Sequence, residues 1–330
     1  MNNDRVLVTG ASGFLGNHII KALTTKGFIN IFGLIRNPEH KQVIHHPNVT
    51  WIEGDICDMP RMVDILEDID TVINAASEVS FSIRHKKQMI KTAIDGTANV
   101  VNAAMYAGVK KLIHISSVAA LGRRKLNETI NENSIFNHSK YDTSYGLAKF
   151  LAEQEVWRAH AEGLHTTIFN PSMILGIGNW HSSTPQLWNK IYHGLDWYGI
   201  GSTGWVDVSD VAKVIVDAID QDLNGERYIL SGENLPYKDI FTKIAIEIGK
   251  KPPTKPLKGF LASAFANIEH LRSIITNSKP IITTETIVST SANSNYDNTK
   301  SVQMLNCKYT PISHTIQKVS SAFLNSVKEG

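Results

Sequence analysis

RVLVTGASGFLG, residues 5–16, decides how the rest of the chain is read. Val6, Leu7 and Val8 form the short apolar, β-branched run that a buried parallel strand needs. Gly10, Gly13 and Gly16 follow, spaced G-x-x-G-x-x-G, and Leu15, Ile19, Ile20 and Leu23 then recur at helical spacing. Three glycines alone also fit an ordinary strand-to-helix turn. Strand, glycine turn and helix in that order supply the context of a dinucleotide site. Glycines let the backbone turn tightly and approach a pyrophosphate, while the free N–H groups and positive dipole end of the new helix face the anion. Ser12, Phe14 and Leu15 lie inside this turn and join the three glycines as candidate cofactor contacts.

Working outward, the 330 residues suffice for one large α/β domain, or for a large domain with a small companion. Hydrophobic content of 42%, charged content of 19% and a net charge of +2 argue for neither a nucleic acid nor a membrane surface as partner. The densest basic stretch is Arg123-Arg124-Lys125. Cys57 and Cys307 imply no disulfide framework, and the 13 histidines show no ligand spacing, so no metal is expected. Residues 1–4 do not read as a signal peptide, and no apolar run approaches the roughly 20 residues of a membrane span. The expected location is cytoplasmic.

The second strand, Ile29 to Ile35, closes in Arg36-Asn37-Pro38. An acidic residue about 20 positions after the glycine turn suits the ribose 2′-OH of NAD, and an arginine nearby suits a 2′-phosphate. Arg36 lies 20 positions after Gly16, with no Asp or Glu at the strand end, which favours NADP(H), NAD(H) being the alternative. A plain surface arginine is the competing reading. A third strand, Val49 to Ile52, leads to Gly54-Asp55-Ile56, where Asp55 suits either the adenine amino group or the cap of a helix around residues 60–67. The fourth, Thr71 to Ile73, runs into Asn74-Ala75-Ala76-Ser77, small residues that let the backbone come close to the cofactor's ribose and pyrophosphate. A long helix, Gln88 to Ala107, and a fifth strand, Lys111 to Ile115, follow. Strands alternating with helices imply βαβ units and a parallel sheet.

The candidate catalytic residues are Ser117, Tyr145 and Lys149. Tyr145 and Lys149 stand four apart on an expected helix, Tyr145 to Glu162, and so share one face. An ammonium beside a phenol favours the phenolate and lowers a reference value of about 10 towards the range of an acid–base catalyst. Ser117, at the carboxyl end of a strand, suits a substrate carbonyl. Alone, Y-x-x-x-K is commonly a solvent-facing helix pair; with the upstream glycine turn and Ser117, the chemical reading prevails.

TGASGFLG at 9–16, GDI at 54–56, NAAS at 74–77, ISSVAALG at 115–122, YGLAK at 145–149 and WVDVSDVA at 205–212 together resemble the extended short-chain dehydrogenase/reductase superfamily over nearly the whole chain. IRNP at 35–38, AIDGTANV at 93–100 and YDNTK at 296–300 resemble its dihydroflavonol-4-reductase-like branch. The resemblance implies an α/β fold: a doubly wound, seven-stranded Rossmann sheet with a smaller carboxyl-terminal substrate lobe. It assigns the catalytic roles to Ser117, Tyr145 and Lys149, and it suggests a homodimer pairing helices 88–107 and 145–162. Two departures stand out. Ala93 replaces the superfamily's usual Asn, a feature shared with the reductase-like branch, and Asn170 stands before Pro171 where Arg is more usual. Pro171 and Ser172 are still expected to border the nicotinamide.

The boundaries expected are 1–177 for dinucleotide binding, with 205–230 returning to it, and 178–204 plus 231–330 for the substrate lobe. Trp180, Trp188, Trp197, Tyr198 and Trp205 either line an apolar pocket or cover the core between lobes. Asp210 is a candidate cap for a helix Val211 to Ile219. Lys250 to Pro256 reads as a loop, Phe260 to Ile275 as an apolar helix over the substrate mouth, and Thr283 to Asn298 as irregular. The leading functional reading is an NADP(H)-dependent reductase or dehydrogenase of a moderately apolar ketone or aldehyde. The alternatives are a nucleotide-sugar epimerase or dehydratase that recycles NAD, and a non-catalytic sensor of the dinucleotide. Fold alone does not choose among them.

Overall fold

The computed structural model describes residues 2–37, 43–77, 86–122, 129–136, 139, 141–258 and 284–329. Its centre is a seven-stranded sheet of β1 (Asn2–Thr9), β2 (Phe28–Ile35), β3 (Val49–Glu53), β4 (Thr71–Asn74), β5 (Lys111–Ile115), β6 (Thr166–Pro171) and β7 (Glu226–Leu230). The strand order is β7-β6-β5-β4-β1-β2-β3, and every pairing is parallel. The order reverses between β1 and β4, so the loops after these two strands diverge and leave a crevice at their carboxyl ends, where ligands bind in such sheets.

Helices cover both faces. On one, α1 (Phe14–Lys26) buries Ile19, Ile20 and Leu23 against Val6 and Val8 and against the helix Val208–Asp217. On the other, α2 (Met59–Leu66), α3 (Lys86–Tyr106) and α4 (Ser144–Ala161) enclose Leu7, Val72, Leu112 and Ile168. Strand residues alternate between the two cores because successive side chains point to opposite faces. This is the doubly wound architecture that the sequence implies.

A third core lies beyond the sheet. Helices Gln186–Tyr192, Tyr237–Glu247 and Ile312–Glu329 pack around a three-stranded sheet of Met173–Leu175, Ser202–Asp207 and Glu233–Pro236. Trp188 and Trp205 are fully buried here, and Trp180 stacks edge-on against Phe323. Trp188 donates to Ser320 Oγ at 2.8 Å and Trp205 to the Leu235 carbonyl at 3.0 Å, so both indole N–H groups are satisfied inside the core. Of the two readings of this aromatic stretch, core cover is the one that Trp180, Trp188 and Trp205 adopt; Trp197 and Tyr198 are half-buried outside this core.

Several local expectations change. The helix after Asp55 is capped by Asp58, whose Oδ1 accepts from the Arg61 N–H at 3.1 Å; Asp55 instead accepts from the Cys57 N–H at 2.9 Å in its own turn. Asp207, rather than Asp210, caps the helix Val208–Asp217, through the Ser209 N–H at 2.7 Å. Asp210 lies a turn further on and accepts from the N–H and hydroxyl of Thr310. Lys255–Leu257 is a strand rather than a loop and pairs in parallel with Trp197–Gly199. A helix, Thr284–Ser291, and a strand, Asn295–Tyr296, occupy the stretch expected to be irregular. The expected helix Phe260 to Ile275, the Arg123–Lys125 run and Pro38 lie outside the described residues.

Candidate active site

The glycine turn sits at the carboxyl end of β1. Gly10 has φ +65°, and a Cβ there would lie 2.8 Å from the Ala75 carbonyl oxygen and from Ala76 Cα and N. A Cβ on Gly16 would lie 2.1 Å from the Gly10 oxygen. The turn closes through the Gly13 N–H donating to the Gly10 carbonyl at 2.9 Å. Gly13 is the N-cap of α1 and no side chain caps its first turn, so the helix presents uncapped N–H groups to the crevice. That cradle fits a pyrophosphate. Ser12 lies half-buried in the turn, its carbonyl accepting from Asn17 Nδ2 at 3.0 Å. Leu15 packs on the edge of the core, and Phe14 faces Gly176 and Gly178 in the segment after strand Met173–Leu175. His18 holds the same segment through the Ile177 carbonyl at 2.9 Å.

The neighbouring loops close on this turn. The Ala76 N–H donates to Thr9 Oγ1 at 3.1 Å, and the Thr9 hydroxyl donates to Asn74 Oδ1 at 2.7 Å. Asn74 Nδ2 in turn donates to His114 Nδ1 at 3.2 Å, leaving the imidazole proton on Nε2. This buried ladder ties the Ala75-Ala76-Ser77 segment to β1 and β5. Arg36 is exposed just beyond β2, and Ile56 packs beneath Gly96 of α3. Burial and Asp55 raise the Cys57 thiol, and Arg36 acts on it in the opposite sense.

Ser117 leaves β5 as N-cap of a single turn, Val118–Leu121, its Oγ accepting from the Ala119 N–H at 3.2 Å. Thr143 caps α4 through the Gly146 N–H at 3.0 Å, which starts the helix at Ser144 and puts Tyr145 and Lys149 on successive turns of one face. Tyr145 is half-buried, with the Ser117 hydroxyl close enough to its phenol to favour the phenolate. Lys149 is 5% exposed and donates from Nζ to the Ile115 carbonyl at 2.9 Å. The three candidate residues therefore meet at the carboxyl end of β5.

Their electrostatics differ from the sequence expectation in one respect. Burial holds the Tyr145 phenol above its ordinary value, and the Ser117 hydroxyl is what pulls it down. The net shift is upward, against the lowering expected from Lys149. Burial takes the lysine itself down to about 8, with Glu153 acting in the opposite sense. Tyr145 is thus protonated at neutral pH, as a proton donor must be.

Pro171 ends β6, and the Ser172 N–H donates to the Leu230 carbonyl at 2.9 Å, which places the buried Ser172 at the carboxyl ends of β6 and β7. Sequence reasoning missed a second ring of residues behind the site. Glu153 is fully buried; its Oε1 accepts from Asn170 Nδ2 at 2.6 Å, and its Oε2 lies 3.3 Å from an Arg227 nitrogen. Helical spacing of Glu153 from Lys149 was the available signal. Arg227, 74 positions further along the chain, had none.

Among the described residues no group of three or more His, Cys, Asp or Glu side chains gathers as a metal site, and no helix is long and apolar enough to cross a membrane. Residues 6–231 match the model of the NAD dependent epimerase/dehydratase family. The chain is similar to a dihydroflavonol 4-reductase-like protein of Synechocystis sp., 24% identical over 330 residues, covering 98% of this chain and 95% of that protein. It is also similar to the N-acetyl-alpha-D-glucosaminyl-diphospho-ditrans,octacis-undecaprenol 4-epimerase of Escherichia coli O157:H7, 33% identical over 181 residues, 54% of this chain and 51% of that protein. Among solved structures, that of gox2253 superposes with a TM-score of 0.82 at 28% identity, covering 98% of this chain and 99% of the other.

Proposed function

Because this chain belongs to the NAD dependent epimerase/dehydratase family, a family of nicotinamide-dependent enzymes with reductases and epimerases among this chain's relatives, we propose that it is an NADP(H)-dependent carbonyl reductase or alcohol dehydrogenase. The observation that carries the reading is the Tyr145–Ser117 hydroxyl pair at the carboxyl end of β5 with the buried Lys149 behind it. The nicotinamide, when bound, supplies or accepts the hydride. The glycine turn with Gly10, Ser12, Gly13, Phe14, Leu15 and Gly16 would hold its pyrophosphate, Ala75, Ala76 and Ser77 the adjoining ribose, Asp55 and Ile56 the adenine, and Pro171 and Ser172 the nicotinamide edge. Arg36, exposed and with no acidic residue at its strand end, would take the 2′-phosphate.

Each protein group has a part set by its chemistry. Ser117 orients the substrate oxygen by donating a hydrogen bond to it. Tyr145, protonated at neutral pH, gives the proton to that oxygen, and the Lys149 ammonium stabilises the phenolate that forms. The burial of Trp188 and Trp205 in the third core removes them as pocket walls, so a moderately apolar ketone or aldehyde rests on the reductase likeness. The likeness to the 4-epimerase covers half the chain and supports a second reading, interconversion at a sugar carbinol with NAD recycled in place.

Titration of the purified protein with NADPH and then NADH, followed by nicotinamide fluorescence, tests the reading. We expect NADPH to bind at least tenfold more tightly, about 1.4 kcal/mol, and Arg36→Ala to erase that preference while leaving NADH binding unchanged. Equal affinities, with cofactor that copurifies and is not consumed in turnover, would favour the epimerase reading.

A further inference from the structure

Glu153 is the fully buried carboxylate of α4, four residues after Lys149 and eight after Tyr145, on the same helical face. A lone buried carboxylate is costly, and such groups persist where they are paired. Here the pairing leads in two directions. Asn170 Nδ2 donates to Glu153 Oε1 at 2.6 Å and to the Ser117 carbonyl at 2.9 Å, so one amide clamps the carboxylate to the backbone of the candidate catalytic serine. Arg227 of β7 lies 3.3 Å from Oε2, and its guanidinium is 5.4 Å above the Trp157 ring, one turn further along α4. The arginine is thereby fixed between the carboxylate and an aromatic face.

We propose that Glu153 is a positioning residue for this reaction, holding Ser117 through Asn170 and holding the positive charge on Lys149, with Arg227 as its own counter-ion. The inference rests on the Ser117–Tyr145–Lys149 reading above. The groups facing Glu153 are Lys149 from its own helix, Arg227 from β7, Asn170 from β6 and Ser116 at the end of β5; those facing Lys149 are Glu153, His114 and the Ile115 carbonyl. Burial raises the Glu153 carboxyl, and Arg227 opposes that most strongly. Of the charged groups facing Lys149, Glu153 is the one that favours the ammonium against its desolvation.

The test reads Lys149 directly, by pH titration of its Cε resonance in the full chain carrying 13C-labelled lysine, assigned by its loss in Lys149→Arg. Wild type should titrate at about 8. Glu153→Gln, which keeps an acceptor for Asn170 but loses the charge, should titrate about one pH unit lower, and Glu153→Asp should return most of that shift. Coincident midpoints in wild type and Glu153→Gln overturn the proposal. Should Glu153→Gln not fold, the wild-type resonance must itself carry a second inflection where the Glu153 carboxyl titrates, and a single-step curve overturns the proposal equally. Turnover by Tyr145→Phe reports separately on the underlying reading. A wild-type Lys149 titration in Glu153→Gln with Tyr145→Phe inactive removes Glu153 alone; an active Tyr145→Phe removes the catalytic assignment as well.

Discussion

The site turns on how burial is shared between a phenol and an amine. Tyr145 is raised by burial and Lys149 is lowered to about 8, so at pH 7 both carry their protons. Carbonyl reduction needs the protonated phenol with the ammonium beside it. The reductive rate should therefore be flat through neutrality and fall as the pH rises through about 8, where the lysine loses its charge. A pH profile of NADPH-dependent reduction at saturating cofactor measures this; a rate still rising above pH 9 would contradict it. The pair itself was legible, because Tyr145 and Lys149 lie in one segment and spacing alone puts them on one face. The direction of the phenol's shift was not, because it depends on how deeply α4 sits against β5, and spacing carries no depth.

At the scale of elements, the same division recurs. The strand–turn–helix at residues 5–16 was readable because its parts are contiguous and each glycine has a local reason. Gly16 is the sharpest case: a methyl group there would fall 2.1 Å from the Gly10 oxygen and 2.7 Å from Ala11 Cα, both backbone and unable to give. Gly16→Ala should cost about 3 kcal/mol and abolish cofactor binding. Gly27 caps the other end of the same helix at φ +89° with nothing within 4 Å. Gly27→Ala should cost only about 1 kcal/mol of backbone strain and leave binding intact. Thermal melts and nicotinamide fluorescence on the two variants check the contrast, and equal losses would contradict it. Caps were harder to read. Asp55, Asp58, Asp207 and Asp210 are all plausible N-caps by residue type, and the choice falls to whichever lies where the helix begins. Asp210 is instead engaged by Thr310, 100 positions away.

For the whole molecule, long-range contacts decide what composition left open. Trp180 and Trp188 could equally have walled a pocket, and the docking of helix Ile312–Glu329 shows why they are core: it brings Ser320 to Trp188 and Phe323 to Trp180. The ladder Thr9–Asn74–His114 likewise spans three strands that no local pattern joins. It carries a consequence for stability. His114 is fully enclosed and held well below the ordinary histidine value, first by burial and then by the Lys149 ammonium. The unfolded chain can protonate this imidazole below about pH 6.5 while the folded protein cannot. Stability should thus decline by about 1.4 kcal/mol per pH unit below that point for this one group. Chemical denaturation between pH 7 and 5 should show the loss, and His114→Gln should have a shallower slope; identical slopes would contradict the assignment.

The catalytic role of Tyr145 is tested by oxidation of NADPH across a panel of ketones and aldehydes by wild type and by Tyr145→Phe, with NADPH binding to both followed by fluorescence. Wild type should turn over at least one apolar carbonyl, and Tyr145→Phe should lose at least about 100-fold with NADPH affinity unchanged. Near-normal turnover by Tyr145→Phe would contradict it.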